Sequence, residues 1–468
     1  MRFRSRFALL LALVLRAHES GAVSDPGFTF HDPPKPLSPE AVTDDWPGFR
    51  GRGRNGVCRE TRLLKNFSNG NPTLLWEMNK GTGYSAPAIV GDRLVFFHRL
   101  DDRETVVCLN AATGETLWRF DYPSTYRDRY GYSNGPRSTP MIDGQRVYTI
   151  GAEGKLHSLD LESGQPIWKQ NLKTQFDLEQ DFFGVASSPL IEESLLVVHV
   201  GAPGGPCTVA FDKRNGQVVW EAGTQWGPSY ASPVAATIHD QRRILVFAGG
   251  ESRPPTGGLL CINAADGQID FRFPWRSRSY ESVNAASPVV VGNDVFISAS
   301  YRTGGALIRI HLDFTHHVLW TTQHLGTHFG TAVHEDGFLY GFDGRNEPDA
   351  ALVCVDMKTG KEAWRFAPEW TEQYVAYGQP RETTYGMYRG SLLKVDDRFL
   401  CLGERGHLLW LDLSPNSHHI LARTWLFAAP QTWTPPAVSR GLLYVVQNER
   451  DPVNHTPPRL LCYDLRGQ

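Results

Sequence analysis

Short apolar runs, broken at regular intervals by Gly, Asp and Asn, recur from about residue 72 to the end of the chain. Within Ala86–Phe120 the runs APAIV, RLVFF, TVVCLN and ETLWRF are separated by Gly91-Asp92 and by Ala111–Gly114. β-Branched and aromatic residues fill the runs, while Gly and Asp stand where tight turns need positive φ. The spacing predicts four short antiparallel strands per unit, and the nearly continuous apolar character of the central runs predicts a sheet covered on both faces.

The unit repeats. It closes on Asn/Asp-x-x-Ser/Thr/Asn/Asp-Gly-x-x-x-Trp/Phe at Asn110–Trp118, Asp160–Trp168, Asp212–Trp220, Asn263–Phe271 and Asp356–Trp364. Weaker copies close on Trp320 and Trp425, where the turn carries a His-His pair in place of Gly. Openings run in step as SAP at 85–87, STP at 138–140, SSP at 187–189 and ASP at 231–233 and 286–288, with looser ones near Thr331, Ser391 and Pro435. Successive closings lie about 44 to 61 residues apart, the length of a four-stranded propeller blade. One blade cannot bury two faces alone, and a closed ring lets each blade stack on its neighbours. The recurring Trp is expected to plug the gap between blades, its indole N–H donating to a carbonyl of the next one.

Seven closings are complete, and the last unit, from Pro435 through Cys462–Leu465, stops short of a fourth strand. Pro72–Met78 is a lone strand carrying Trp76 with no unit before it. The prediction is an all-β, eight-bladed β-propeller over residues 71–468, its last blade closed by the N-terminal strand so that no sheet edge is left free inside the ring.

Ahead of the ring the pattern changes. Arg2, Arg4 and Arg6 precede the nine-residue apolar run Phe7–Leu15, and the small residues Ser20, Gly21 and Ala22 follow. That layout predicts a signal peptide over 1–23 and an exported product, periplasmic or extracellular, since the run is too short to span a bilayer. Residues 24–70 read as a flexible, Pro-containing lead-in followed by Trp46–Val57. That segment is expected either to cap the ring by packing on it or to serve as a docking strip, the cap being favoured by its aromatics and Gly so near the first blade. No later stretch is long and apolar enough to span a membrane.

Composition narrows partners only modestly. Forty-seven Lys and Arg against fifty Asp and Glu give a net charge of −3, without the basic footprint that nucleic acid demands. The seven cysteines are odd in number, and Cys108, Cys261, Cys354 and Cys462 recur at one position of an apolar strand, as small buried residues.

The repeat, with its A-x-x-G turn and terminal Trp, resembles the tryptophan-docking repeat of pyrroloquinoline-quinone (PQQ) propellers. DDWPGFRGRGRNGV (Asp44–Val57), followed by LLWEM and GYSAPAIVGDRLVFF, is similar to bacterial exported PQQ-binding-like propeller proteins, a group that includes an outer-membrane assembly lipoprotein. That resemblance implies either a scaffold or, as in the larger quinoprotein alcohol and sugar dehydrogenases, a PQQ- and Ca²⁺-dependent oxidoreductase. The chain departs from the dehydrogenase pattern in having no two adjacent cysteines and no C-x-x-C-H, and from the lipoprotein in having no cysteine near the expected cleavage point.

Propeller ligands meet the end of the central channel, where loops lead into the innermost strands. The stretches before each opening carry Tyr84, Asn134, Arg137, Asp181, Tyr230, Glu281, Asn284, His328, Tyr388, Arg389 and Trp433 as candidate ligand-binding residues. Aromatic rings with a few charges around one opening suit a planar polar molecule or a peptide segment. Arg137 or Arg389 could pair with a ligand carboxylate. Glu281, Asn284 and Asp181 could offer oxygens to Ca²⁺. Six histidines between 311 and 334 match no zinc spacing and are expected to be incidental. With no nucleophile elbow, phosphate loop or H-E-x-x-H, the expected function is a non-catalytic scaffold binding a protein or cell-envelope component at the channel mouth, the alternative being the oxidoreductase.

Overall fold

The structure, a computed structural model, describes residues 27–67, 70–376 and 378–467; the expected signal peptide over 1–23 lies outside them. Eight blades follow one another around a ring. The first consists of Ala88–Val90, Arg93–Leu100, Arg103–Asn110 and Thr116–Pro123, ordered from the channel outwards. Blades two to seven occupy residues 141–171, 190–222, 234–274, 289–322, 333–366 and 391–425. In the eighth, Thr73–Asn79 pairs antiparallel with Arg459–Asp464 and supplies the outer strand, closing the ring with both ends of the chain.

The repeated Trp acts between blades. Trp76 Nε1 donates to Ala111 O (3.2 Å), Trp118 to Leu161 O (2.8 Å), Trp168 to Lys213 O (3.0 Å) and Trp220 to Ala264 O (3.0 Å). Trp320 and Trp364 do the same to Met357 O and Ser414 O. Each acceptor lies in the turn of the following blade, so one indole satisfies its polar edge and buries its face in a single contact. The turn glycine makes the fit possible: Gly114 has φ +72°, and a Cβ there would come within 2.7 Å of the Trp76 indole. Where the turn has His, that ring takes the glycine's place: His316 stacks on Phe271 at 4.2 Å and His418 lies 4.9 Å from Trp364.

Two expectations are corrected. Trp425 is not a docking residue, because it pairs with His407, while Ala422 faces Trp410 at the docking position. The 61-residue interval that ends there contains an inserted hairpin, Glu369–Ala376 with Gln379–Gly386, whose Tyr374 and Tyr385 pack on Trp425. The lead-in is also partly structured: Phe28–Phe30 adds a fifth strand outside Thr73–Asn79, pairing with Trp76–Met78.

All seven cysteines are buried and free. Cys108, Cys261, Cys354 and Cys462 stand opposite Trp118, Phe271, Trp364 and Trp76, where a small residue leaves room for the large ring. Among the described residues no helix is long and apolar enough to cross a membrane.

Residues 46–58 enter the channel from one end. Asp45 accepts from Gly91 N and Glu60 from Gly441 N, at turns where inner strands finish. Further in, Arg54 donates to Ser188 O and Pro189 O, and Arg50 to Ala332 O, where inner strands begin. Trp46 bridges to Ile89, and Val57–Cys58 runs parallel to Ser391–Val395. This segment plugs the channel, leaving the opposite end open.

Candidate functional site

The open end is a cavity of about 440 Å³. Tyr84, Arg137, Tyr230, Glu281, His328, Arg389 and Trp433 line it. Asn134, Asp181, Asn284 and Tyr388 do not, and their side chains serve the surrounding loops. Asn134 Oδ1 accepts from Asp128 N, and Tyr388 Oη donates to Thr384 O. Asn284 Nδ2 donates to Ala248 O and Trp275 O. Asp181 Oδ1 accepts from Glu251 N and Oδ2 from Tyr230 Oη at 3.1 Å, bracing a wall residue from behind. Burial raises the Asp181 carboxyl to about 6.

The walls are aromatic. Trp433 lies 5.5 Å from Tyr84, 5.7 Å from Tyr132 and 5.4 Å from Phe329, centroid to centroid. Tyr132 leads to Phe183 (5.9 Å), which touches Tyr130 and Tyr230. The belt therefore crosses several blades. Phe182, Phe183, Tyr130, Tyr132 and Phe329 sit in the same loops as the expected residues and carry no distinguishing sequence signal, because aromatic residues also fill every blade core. Tyr301 and Arg345 come from a second set of loops, between the second and third strands of blades five and six. Phe49 and Arg50 come from the plug, a contact between chain segments about 280 residues apart that no local pattern signals.

Charge is arranged in layers. Arg137 Nη2 binds Asp128 at 2.7 Å, and Asp128 is sealed from solvent. Arg389 Nε donates to Glu404 Oε2 at 2.9 Å, and Glu404 also accepts from Trp433 Nε1 at 2.6 Å. The arginines expected to meet a ligand carboxylate thus already hold one, and their guanidinium faces extend over rings: Arg137 over Tyr84 and Phe183, Arg389 over Trp433 and Phe329. Burial, then Arg389 and Arg345, lower the His328 pKa to about 3. Its imidazole is neutral at physiological pH and a poor proton acceptor.

The Ca²⁺ donor set fails a geometric test. Asp181 is spent on the bonds above, Asn284 Oδ1 is buried without a partner and outside the cavity lining, and Glu281 stands exposed on the rim, its Oε2 taking a bond from Ser279 Oγ. Among the described residues no three His, Cys, Asp or Glu converge as metal ligands. No cysteine lines the cavity, and each of the seven is buried. The aromatic walls suit a planar ring system; the oxygen donors do not assemble beside it.

The histidines at 311–334 divide among separate tasks. His311 and His317 stack and hydrogen-bond each other at 2.7 Å, His316 covers Phe271, His324 pairs with Glu362, and His334 accepts from Gly337 N.

Solved structures share this architecture. BamB from Moraxella catarrhalis superposes with a TM-score of 0.55 at 14% identity, covering 85% of this chain and 99% of that one. Quinohemoprotein alcohol dehydrogenase from Comamonas testosteroni gives 0.61 at 11% identity, covering 91% and 81%. Identities this low show the fold alone. In sequence, the outer membrane protein assembly factor BamB of Aliivibrio fischeri is 43% identical over 44 residues, 9% of this chain and 11% of that protein. The dehydrogenase subunit of a quinone alcohol dehydrogenase from Gluconacetobacter polyoxogenes is 25% identical over 252 residues, 51% and 32%. The chain thus spans about a tenth to a third of the length of these curated relatives. A family model described as outer membrane protein assembly factor BamB matches residues 102–366, more than half of the chain. With its docking tryptophans and eight blades, the chain belongs to that family of PQQ-like propellers.

Proposed function

We propose that the protein is an exported, non-catalytic propeller that holds a protein segment or another cell-envelope component in the mouth of its channel. The observation that carries this reading is the mouth itself, an aromatic belt crossing several blades with arginines fixed behind it by buried carboxylates. Rigid aromatic rings with charged edges give large contact area at small entropic cost, the chemistry of binding surfaces. Two further observations support binding over turnover: His328 is held neutral, and no carboxylates converge in the cavity. The relatives named as outer membrane assembly factors favour a protein partner, whereas the quinone-dehydrogenase relative favours the oxidoreductase.

A photoreactive phenylalanine at Tyr130, half exposed on the rim, tests this reading against the same group at Val219 on an outer strand. Cross-links to an envelope component from Tyr130 only, lost on Trp433→Ala, are expected. Calcium-dependent PQQ binding at micromolar concentration or tighter, read by calorimetry, would instead favour the oxidoreductase.

A further inference from the structure

Arg50 and Arg54 leave the plug four residues apart and reach different cavities. Both are buried and both have positive φ, +62° and +54°, a backbone state that non-glycine residues hold only when the surroundings impose it. Arg54 uses both terminal nitrogens as staples, Nη1 to Pro189 O and Nη2 to Ser188 O, and borders a smaller cavity on the plug side. Arg50 makes both of its bonds from Nη2 alone, to Asn55 O and Ala332 O. Its Nε, like that of Arg54, has no hydrogen-bond partner, and among the described residues neither arginine has a carboxylate within ion-pair distance. Yet Arg50 lines the aromatic cavity.

A guanidinium removed from water without an opposite charge is strongly disfavoured, and where such a group borders the mouth cavity, as Arg50 does and Arg54 does not, a ligand can supply the charge. Burial lowers the Arg50 pKa to about 10, which leaves it cationic at neutral pH. On the wall above, Arg345 lies 4.3 Å over the Tyr301 ring and also makes no ion pair among the described residues. Arg137 and Arg389 are neutralised by Asp128 and Glu404. The cavity therefore holds two cations without an ion-pair partner among the described residues, Arg50 buried at its floor and Arg345 exposed at its wall, where the rim carboxylate of Glu281 acts on it only at longer range.

We infer that the mouth recognises an anionic ligand, a carboxylate carried on an aromatic or apolar body, whose charge is received by Arg50 at the floor and Arg345 at the wall. This deepens the binding reading proposed above and rests on it. The belt takes the body of the ligand, and the plug supplies the end of the site, so the N-terminal segment is part of the recognition surface as well as a stopper. A free aromatic acid and an acidic protein segment share this chemistry.

The test uses the whole propeller and two matched probes, naphthalene-2-carboxylate and naphthalene-2-carboxamide, which differ in charge and share the ring. Calorimetry is expected to give at least a tenfold preference for the carboxylate, weakening with added salt as an ion contact does. Arg345→Gln, which removes no staple, should reduce the preference, and Arg50→Gln should abolish it. Arg54→Gln loosens the same plug and should leave the preference intact, which separates the anion role from a structural one. An acetylated Gly-Phe-Glu tripeptide binding tighter than the naphthalene acid assigns the ligand to a protein segment; the reverse order assigns a free acid. Equal binding of acid and amide, with Trp433→Ala abolishing both, overturns the anion site and leaves the mouth reading standing. Equal effects of Arg50→Gln and Arg54→Gln, or no binding of either probe, also overturn it, and the Tyr130 cross-link then judges the mouth separately.

Discussion

Trp410 and Ala422 face each other across the third and outer strands of the seventh blade, the reverse of the arrangement elsewhere in the ring. In the first blade Cys108 faces Trp118, and in the eighth Cys462 faces Trp76. One large and one small residue fill the position in each case, so the seventh blade keeps the volume and exchanges its owner. The exchange has a consequence for hydrogen bonding: Trp410 Nε1 is buried without a partner, while the docking indoles reach a carbonyl of the next blade.

Trp410→Ala should destabilise the ring by about 3–5 kcal/mol by leaving a cavity. Ala422→Trp alone should overpack the site and cost about 1–3 kcal/mol. The double exchange should recover much of the loss, a coupling that separate effects at independent positions do not show. Denaturant midpoints of the four proteins form the cycle, and simple additivity would refute the volume argument.

Gly114 and Gly91 both have positive φ, +72° and +60°, in turns of the first blade. A methyl group at Gly91 meets open space, whereas at Gly114 it meets the Trp76 indole. Gly91→Ala should cost about 1 kcal/mol, the backbone penalty alone. Gly114→Ala should cost clearly more, because the ring it strikes is itself clamped between blades. Equal thermal midpoints for the two variants would remove the steric role assigned to the turn glycine.

Burial sets the Asp181 carboxyl at about 6, above the usual carboxylate value of about 3.9. The folded state therefore binds this proton more tightly than the unfolded one does. Its contribution is fully present below pH 4 and is lost as the pH rises through 6. Asp181→Asn imitates the protonated form, so the variant should gain on the wild type by up to about 3 kcal/mol between pH 4 and pH 7. A stability difference that stays flat over that window would show the carboxyl to be unperturbed.

Glu404 is sealed beneath the mouth and holds both Arg389 and Trp433. Glu404→Gln leaves Arg389 without its counter-charge and should cost about 3–5 kcal/mol. Removing both charges with Arg389→Met in the same protein should be milder, since no uncompensated ion remains. Urea titration distinguishes the two, and a milder single variant would place the pair outside the low-dielectric wall described for it.

Much of this molecule was open to reading along the chain. The terminal Trp, the turn Gly and the Ser/Ala-Pro opening each answer to a local demand, so their repetition revealed blade number and ring closure. Register failed only where a local signal was duplicated: Trp425 imitates a docking residue because it is a Trp three positions beyond the true one. The site was less legible. Loop residues such as Asn134 and Asp181 have the chemistry of ligands, yet the neighbours that folding supplies, Asp128, Glu251 and Tyr230, consume it.

The sequence by itself determined the all-β class, the eight blades and the strand exchange that seals them, because these follow from period, turn chemistry and the size of one recurring side chain. Only the tertiary structure decided which charges remain unbalanced. Arg137 and Arg389 find acids among their loop neighbours, and Arg50 reaches the floor of a cavity built almost 300 residues away. The reason is physical: strand pattern is a property of adjacent residues, whereas compensation of a charge depends on every group that folding brings within a few ångströms of it.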